Sequence, residues 1–296
     1  MGRWLVRELL KQEVHVAAVI RPGSKRSSVL PESKYLEIIP CAMEEYEKLP
    51  EHMCAQENSV FFHLAWEGVY GPKRVDLDTQ LKCVSASKAA TEAAAALGCI
   101  KFVGLGSIME KESIAVAEAD GTSPGMPYVY GEAKHMAHLV TKAVASQLGV
   151  LHLWPVLTNP YGEHDDSTRF VNATLKRILY NEPLEFSSGT QRYDFIHIED
   201  AVKAMIAVAE HGKPSHSYII GSGKAAPLRS FIEAIGREVA PDRELHFGSV
   251  PYTGVQLEDS VFSIDTLTRD TGFVPIIPFD AGICRTMKWL KETEGV

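Results

Sequence analysis

The sequence lacks long apolar runs, contains few cysteines and has fewer basic than acidic side chains. The five cysteines include no Cys-x-x-Cys pair, which argues against a disulfide framework and the usual thiolate zinc sites. The longest apolar stretches fall far short of the roughly 20 residues that a membrane-spanning helix needs. Lys and Arg total 30 against 38 Asp and Glu, a balance that disfavours nucleic acid as a partner. The charged N-terminal residues do not resemble a secretory signal, so we expect a cytoplasmic protein.

Short apolar runs alternate with longer amphipathic ones through the first 160 residues. Runs typical of buried strands cover 14–20, 36–39, 59–64, 100–105 and 150–154, and helical patterns cover 4–11, 43–53, 78–98 and 131–149. This alternation predicts an α/β fold with a doubly wound parallel sheet covered on both faces. Beyond Tyr161, helical stretches over 168–180, 198–211, 227–239 and 279–292 are separated by short strands. We therefore predict one domain over 1–160 and a smaller C-terminal lobe over 161–296, with segments that return to the sheet.

The chain opens inside a helical pattern, whereas a doubly wound fold normally opens with a strand and a glycine-rich turn. Gly2 and the helix after it resemble the end of a Gly-x-x-Gly-x-x-Gly turn. We therefore expect that the first strand and most of the turn are missing from this sequence. The alternative is an ordinary N-terminal helix that carries a glycine by chance.

Tyr130 and Lys134 form the strongest chemical pattern when they are taken with Ser107. Tyr130 and Lys134 are four residues apart, which places them on one face of a predicted helix. A neighbouring ammonium favours the phenolate form of a tyrosine and lowers its pKa. Ser107 ends a predicted buried strand, and ligand sites of open α/β sheets lie at the carboxyl ends of strands. These three residues predict a site that moves a proton on or off a carbonyl or alcohol oxygen.

Three further segments extend this pattern along the chain. They are Phe62-His63-Leu64-Ala65, Asn159-Pro160-Tyr161-Gly162 and the run from Arg192 to Asp200. With Ser107, Tyr130 and Lys134, they make the chain resemble the extended short-chain dehydrogenase/reductases, in their nucleotide-sugar epimerase/dehydratase branch. The resemblance runs from Gly2 to about Trp289 and implies a Rossmann-like dinucleotide-binding domain over 1–160. It also implies a substrate-binding lobe over most of 161–296.

The resemblance assigns a role to each residue of the site. Tyr130 would be the general acid/base, Lys134 would lower its pKa and hold the cofactor ribose, and Ser107 would polarise the reacting carbonyl and contact the substrate. Arg192 would face the substrate diphosphate, for which a guanidinium is well suited, and Asn159 would help to hold the substrate. The ordinary alternatives are a surface ion pair for Arg192 and a turn-forming role for Asn159.

The residues that the resemblance assigns to the cofactor are Gly2, Arg21, Leu64, Ala65, Tyr130 and Lys134. Relatives selective for NAD carry an acidic residue near the end of the second strand. Here the segment is Ile20-Arg21-Pro22-Gly23-Ser24-Lys25-Arg26, which has no carboxylate. Its cations suit a 2′-phosphate, which favours NADP over NAD, and the alternative is a solvated basic loop.

Two departures from the family pattern restrict the reaction. Ile108 and Met109 follow Ser107 where sugar dehydratases carry an Asp-Glu pair, and no cysteine follows Ser107 either. The resemblance therefore favours a nucleotide-sugar 4-epimerase or 4-ketoreductase over a dehydratase. The alternatives are a reductase of small carbonyl compounds and a non-catalytic dinucleotide-fold binding protein. A homodimer stays open, and the histidines, His135 and His138 among them, show no metal-ligand spacing and are predicted to lie on a helix surface.

Overall fold

A computed structural model describes residues 1–24, 29–54, 58–121, 125–252 and 254–295. The helices are α1 (Gly2–Lys11), α2 (Leu49–His52), α3 (Leu77–Ala96), α4 (Met109–Glu118), α5 (Val129–Leu148), α6 (Phe170–Leu179), α7 (Ile198–His211), α8 (Leu228–Val239), α9 (Asp265–Thr271) and α10 (Phe279–Glu294). The strands are β1 (Val16–Ile20), β2 (Leu36–Pro40), β3 (Val60–His63), β4 (Lys101–Gly104), β5 (Gly106–Ser107), β6 (Leu151–Leu157), β7 (Asn159–Tyr161), β8 (Glu185–Phe186), β9 (Arg192–Tyr193), β10 (Phe195–His197), β11 (Ser217–Ile220), β12 (Ala226–Pro227) and β13 (His246–Phe247). None of the helices within these described ranges has the length and apolar character needed to cross a membrane.

The central sheet is parallel and has the strand order β11-β6-β4-β3, with the short strand β5 also paired to β6. Strands β1 and β2 form a separate parallel pair. A cavity of about 860 Å³ lies between the two groups, and both β1 and β3 line it. The predicted Rossmann-like α/β fold is confirmed, but among the described residues its sheet is divided into two parts by this cavity.

Helices cover both faces of the sheet, as the alternation predicted. On one face α3 packs against α5, and the two helices approach closely because small residues such as Ala90, Ala94 and Ala137 are fully buried. On the other face α7 packs against α1 and α9. The shared core there includes Met205 of α7 and Tyr218 of β11. The carboxyl ends of the strands are therefore left for the loops that carry the polar residues.

The later part of the chain forms a second core and also contributes to the first. Helices α6, α8 and α10 bury a cluster around Leu175, Ile232 and Ile283. Strand β11 instead pairs with β6 of the central sheet, and β10 pairs with β7. The second core, formed by α6, α8 and α10, is thus connected to the central sheet through β7, which follows β6 in the chain, and through its partner β10.

Two local predictions were wrong. The helix predicted over 43–53 is a 3₁₀ turn over Met43–Lys48 followed by the short helix α2, which has Pro50 in its first turn. Proline is favourable there because its missing N–H has no partner within a helix. Helix α4 was not predicted, and its sequence MEKESIAVAE shows no clear apolar stripe.

Candidate active site

Ser107 lies at the carboxyl end of the central sheet. Its strand β5 pairs Gly106 with Val156 and Ser107 with Leu157 of β6. The Ser107 hydroxyl accepts a hydrogen bond from the backbone N–H of Met109 at 3.3 Å, and the Ser107 backbone N–H donates to Glu110 Oε1 at 2.8 Å. The serine is therefore held both by the strand and by the start of α4.

Tyr130 and Lys134 project from the first turns of α5, and both side chains are buried. Helix α5 approaches α4 closely because Gly131 has no side chain. A Cβ at Gly131 would collide with the Ser113 hydroxyl and the Met109 carbonyl. The glycine after Tyr130 thus allows the two helices that carry the site to pack together.

The phenol of Tyr130 lies beside Ser107 and beside the guanidinium of Arg74, which belongs to the loop before α3. Burial raises the pKa of Tyr130, while a hydrogen bond with the Ser107 hydroxyl and the positive charge of Arg74 oppose that rise. The Arg74 guanidinium lies over the Tyr130 ring, 4.7 Å from its centroid. Burial is the largest of these influences on Tyr130, and the expectation that Lys134 lowers the pKa of Tyr130 stays a prediction.

Lys134 is held at the centre of the site by two contacts. Its ammonium donates to the carbonyl of Leu105 at 2.8 Å and lies 3.7 Å from the ring centroid of Trp66. Burial lowers the pKa of Lys134 to about 7, and the negative charge of Glu110 opposes this effect. Lys134 is therefore poised to gain or lose a proton near neutral pH.

Glu110 was not predicted as a site residue, yet it is almost completely buried beside Ser107. Besides the Ser107 N–H, it accepts from the Trp154 indole N–H, which lies 3.2 Å from each carboxylate oxygen. The only sequence signal is its position three residues after Ser107. Glutamate in a charged segment is typical of an exposed helix surface, which is why its burial was not expected.

His138 continues the face of α5 that carries Tyr130 and Lys134, at another four-residue step. Its ring stacks on Trp154 with the centroids 4.7 Å apart and the planes 3° apart. Its Nδ1 lies 3.7 Å from Glu110 Oε2, and its side chain is 16% exposed. The prediction of a surface position was wrong for His138, because Trp154 and Glu110 cover it.

A second acidic residue of α4 faces the outer side of the site. Burial raises the pKa of Glu112 to about 7, and the nearby charge of Arg74 opposes this rise. Burial raises the pKa of Tyr193 and of Tyr252, and the charge of Glu112 adds to both rises. No sequence pattern predicted that Glu112 acts on Arg74, Tyr193 and Tyr252, since the four residues come from four distant segments.

Asn159 and Arg192 both lie on the substrate-lobe side, but neither has a free side chain. The amide of Asn159 donates to the Asp194 carbonyl at 3.0 Å. The guanidinium of Arg192 donates from Nε and Nη2 to the two carboxylate oxygens of Asp259, and also to the Ala225 carbonyl. For Arg192 the structure therefore shows the ion pair that was the ordinary alternative. Contact of either residue with a substrate stays a prediction.

The residues predicted for the cofactor lie around the cavity between β1 and β3. Gly2, Leu64 and Ala65 line this cavity, whereas Ser107, Tyr130 and Lys134 are not among its lining residues. Apart from its chain neighbours and the backbone of its own helix, no atom of the described residues comes within 4 Å of the position that a Cβ on Gly2 would take. Arg21 follows β1 and is exposed, while Lys25 and Arg26 of the same basic segment lie outside the described residues.

Among the residues that the structure describes, no three or more His, Cys, Asp and Glu side chains are grouped so as to hold a metal ion.

Comparison with known proteins shows the family to which this chain belongs. A family model for the NAD dependent epimerase/dehydratase family matches residues 1–221. CDP-abequose synthase of Salmonella muenchen is 23% identical over 274 residues, which cover 91% of this chain and 87% of the synthase. This degree of identity over nearly the full chain agrees with the family match.

Two solved structures resemble the fold over 99% of this chain. UDP-glucuronic acid 4-epimerase from Bacillus cereus, solved in complex with NAD, has a TM-score of 0.76 and 17% identity, with 95% of its own chain covered. The Bordetella bronchiseptica enzyme WbmF, solved in complex with NADH, has a TM-score of 0.77 and 19% identity, with 89% covered. At these identities the two structures support the fold alone.

Proposed function

Since the chain belongs to the NAD dependent epimerase/dehydratase family and is an enzyme of the extended short-chain dehydrogenase/reductase type, we propose that it acts on a nucleotide-activated sugar. The reaction that we propose is 4-epimerisation or 4-ketoreduction with a nicotinamide dinucleotide. CDP-abequose synthase and UDP-glucuronic acid 4-epimerase, to which the chain is similar, are both named for nucleotide sugars.

The observation that carries the proposal is the contact between Ser107 and Tyr130 at the carboxyl end of β5. Two hydroxyl groups lie together there, one of them on a tyrosine whose helix also supplies a buried ammonium. A pair of hydroxyls can bind one substrate oxygen from two directions. This arrangement suits a reaction in which an alcohol and a carbonyl interconvert at that oxygen.

Three residues of the chain have separate roles at the reacting substrate oxygen. Tyr130 exchanges a proton with the reacting oxygen through its phenol, and Ser107 donates a hydrogen bond to the same oxygen. Lys134 supports the phenolate by its charge when it is protonated. Because the pKa of Lys134 is lowered to about 7, we expect the rate to depend on pH near neutrality.

The residues around the cavity fit a dinucleotide. The cavity volume of about 860 Å³ falls within the range of roughly 300–1,000 Å³ that is usual for ligand sites. Leu64 and Ala65 give apolar walls, and Gly2 at the start of α1 also lines the cavity, where a helix N-terminus suits an anion. Lys134 does not line the cavity, so it would hold the ribose only where the dinucleotide extends beyond the cavity toward Tyr130. The dinucleotide, when bound, supplies a hydride that is exchanged with a sugar carbon.

We propose NADP as the preferred form of the cofactor. Arg21 follows β1 directly, and its side chain is exposed. An exposed guanidinium at this place suits a 2′-phosphate and does not suit the carboxylate-bound ribose of NAD-selective relatives. Two of the similar structures hold NAD or NADH, so this preference is a point on which the chain would differ from them.

A reductase of small carbonyl compounds is the second candidate, and one observation favours it. Arg192, the residue predicted to face a diphosphate, already donates from Nε and Nη2 to the two carboxylate oxygens of Asp259. A diphosphate would have to displace that carboxylate. A substrate without phosphate would leave the ion pair intact.

The test compares wild-type protein with Tyr130→Phe on UDP-, dTDP- and CDP-linked sugars, their 4-keto forms and simple ketones. An epimerase gives the 4-epimer without net oxidation of the cofactor, whereas a reductase oxidises one NADPH for each ketone reduced. Turnover of a nucleotide sugar that is lost in Tyr130→Phe supports the proposal. Turnover restricted to simple ketones supports the second candidate, and equal turnover in both proteins refutes the role of Tyr130.

A further inference from the structure

Glu110 is a buried carboxylate at the point where β5 passes into α4. It is 3% exposed and accepts hydrogen bonds from the Ser107 backbone N–H and the Trp154 indole N–H. A Cβ at Gly106 would lie 2.6 Å from Glu110 Oε1, so the glycine leaves room for the carboxylate. Three neighbouring residues are thus arranged around a single acidic side chain.

Burial of the Glu110 carboxylate costs free energy, because a buried charge loses its hydration unless donors surround it. Two N–H groups point at Glu110, but neither carries a full positive charge. An apolar residue would pack against Trp154 without this cost. A purely structural role therefore does not explain why an acid is found at position 110.

The charged groups that face Glu110 come from several elements. Helix α5 presents Tyr130, Lys134 and His138, the last with Nδ1 3.7 Å from Glu110 Oε2. Strand β6 presents His152, whose ring stacks on those of His138 and Trp154, and α3 presents Cys83 near Lys134. Glu110 is the one of these groups that contacts the backbone of Ser107, and its charge acts on both Lys134 and Tyr130.

We propose that Glu110 is a positioning residue of the site, which fixes Ser107 at the end of β5 and supplies the negative charge that balances the Lys134 ammonium. The catalytic part of this inference rests on the proposed function. Its two physical parts, the hold on Ser107 and the charge balance, are properties of the protein alone.

The experiment uses Glu110→Gln, which keeps the shape and one acceptor oxygen but removes the charge. The titration of Lys134 is followed by NMR of ¹³C-labelled lysine between pH 5 and 9, with Lys134→Met to assign the signal. Loss of a nearby negative charge should lower the pKa of Lys134 by about one unit. The control is Glu118→Gln, an exposed glutamate at the other end of α4, which should leave the titration unchanged.

The hold on Ser107 is tested by hydrogen exchange of its backbone amide. Exchange should be faster in Glu110→Ala, which removes both acceptor oxygens, and closer to wild type in Glu110→Gln. If Glu110→Ala does not fold, Glu110→Gln alone decides, because its amide oxygen is a weaker acceptor than a carboxylate. Lys134 titration and Ser107 exchange that both match wild type in Glu110→Gln would overturn the proposal.

Activity separates this inference from the proposed function. If both hold, kcat of Glu110→Gln falls by up to about 100-fold. The limb of the pH–rate profile that reports Tyr130 also moves to lower pH, because the negative charge that disfavours its phenolate is gone. A shift of the Lys134 titration in a protein that turns over no nucleotide sugar would uphold the inference and reject the proposed function. A loss of kcat without a shift in either titration or profile would show a structural role only.

Discussion

Arg192 and Asp259 are joined by a two-point ion pair, although 67 positions separate them in the sequence. Strand β9 carries the arginine, and the 3₁₀ turn over Asp259–Phe262 carries the aspartate. The Asp259 side chain is 59% exposed, whereas that of Arg192 is 23% exposed. Because an ion pair with an exposed carboxylate contributes little free energy, we propose that a substrate phosphate competes with Asp259 for Arg192.

We expect Asp259→Asn and Arg192→Ala to act in opposite directions on a nucleotide sugar. Removal of the competing carboxylate frees the guanidinium and should lower KM several-fold. Removal of the guanidinium should raise KM by roughly 10- to 100-fold, the usual effect of a charged hydrogen bond, with a smaller change in kcat. Steady-state kinetics of both variants on the same nucleotide sugar checks this.

Arg237→Ala is the matched control, because Arg237 is also paired with carboxylates but lies exposed on α8. It should leave KM unchanged. If Arg192→Ala also leaves the KM of every nucleotide sugar unchanged, the pair is structural, and the small-carbonyl reductase becomes the better proposal.

The features that the sequence predicted are those set by local spacing. Tyr130 and Lys134 are one helical turn apart, so any helix places them on one face. The strand before Ser107 is a continuous apolar run, and such a run is typical of a buried parallel strand. For the same reason the strands of the central sheet lie within a few residues of their predicted positions.

The features that the sequence did not predict depend on distant partners. Arg74 reaches the Tyr130 ring from the loop before α3, and no spacing rule connects the two. Glu110 is buried where Trp154 of β6 and Ser107 of β5 both donate to it, and both donors are set by the tertiary fold.

Replacement of Arg21 should change the choice of cofactor. Arg21→Asp places a carboxylate after β1, where it repels a 2′-phosphate and accepts hydrogen bonds from a ribose. The ratio of the NADP affinity to the NAD affinity should therefore fall, and Arg21→Gln, which removes the cation without adding an acid, should have a smaller effect. Titration calorimetry with both cofactors measures the ratio. An unchanged ratio in Arg21→Asp would mean that the arginine is only a solvated loop residue.

Glu163 should make the fold sensitive to acid. Burial alone would raise its pKa, but the hydrogen bond with His197 and the charge of Arg285 lower the pKa of Glu163 to about 2, from an ordinary value of 4.5. A depressed pKa stabilises the folded state above pH 4.5, and this contribution is lost as the pH falls toward 2. The free energy of unfolding, measured with urea at a series of pH values, should therefore decline over this interval.

Glu163→Gln should be less stable than wild type at pH 6 and should show a shallower decline between pH 4.5 and 2. The matched control is Glu244→Gln, since Glu244 lies exposed near a histidine as well, with 82% of its side chain accessible. A Glu163→Gln protein whose acid decline matches that of wild type would assign the decline to other carboxylates.

Replacement of Lys134 by methionine should increase stability while it removes activity. Burial lowers the pKa of Lys134 to about 7, from an ordinary value of 10.5, so the folded protein binds fewer protons than the unfolded chain between these values. The stability of the wild type should therefore rise with pH from about 7 to 10.5. Lys134→Met has no such rise and should be more stable at pH 6, by an amount on the order of a few kcal/mol. It should also lose turnover and bind the nicotinamide cofactor more weakly, because the ammonium that supports the Tyr130 phenolate is gone.

Urea unfolding at pH 6 and pH 9 measures the effect of Lys134→Met on stability, and Lys288→Met, which changes an 80% exposed lysine, is its control. A Lys134→Met protein that is less stable than wild type at pH 6 would show that the contacts with Leu105 and Trp66 outweigh the cost of burying the charge.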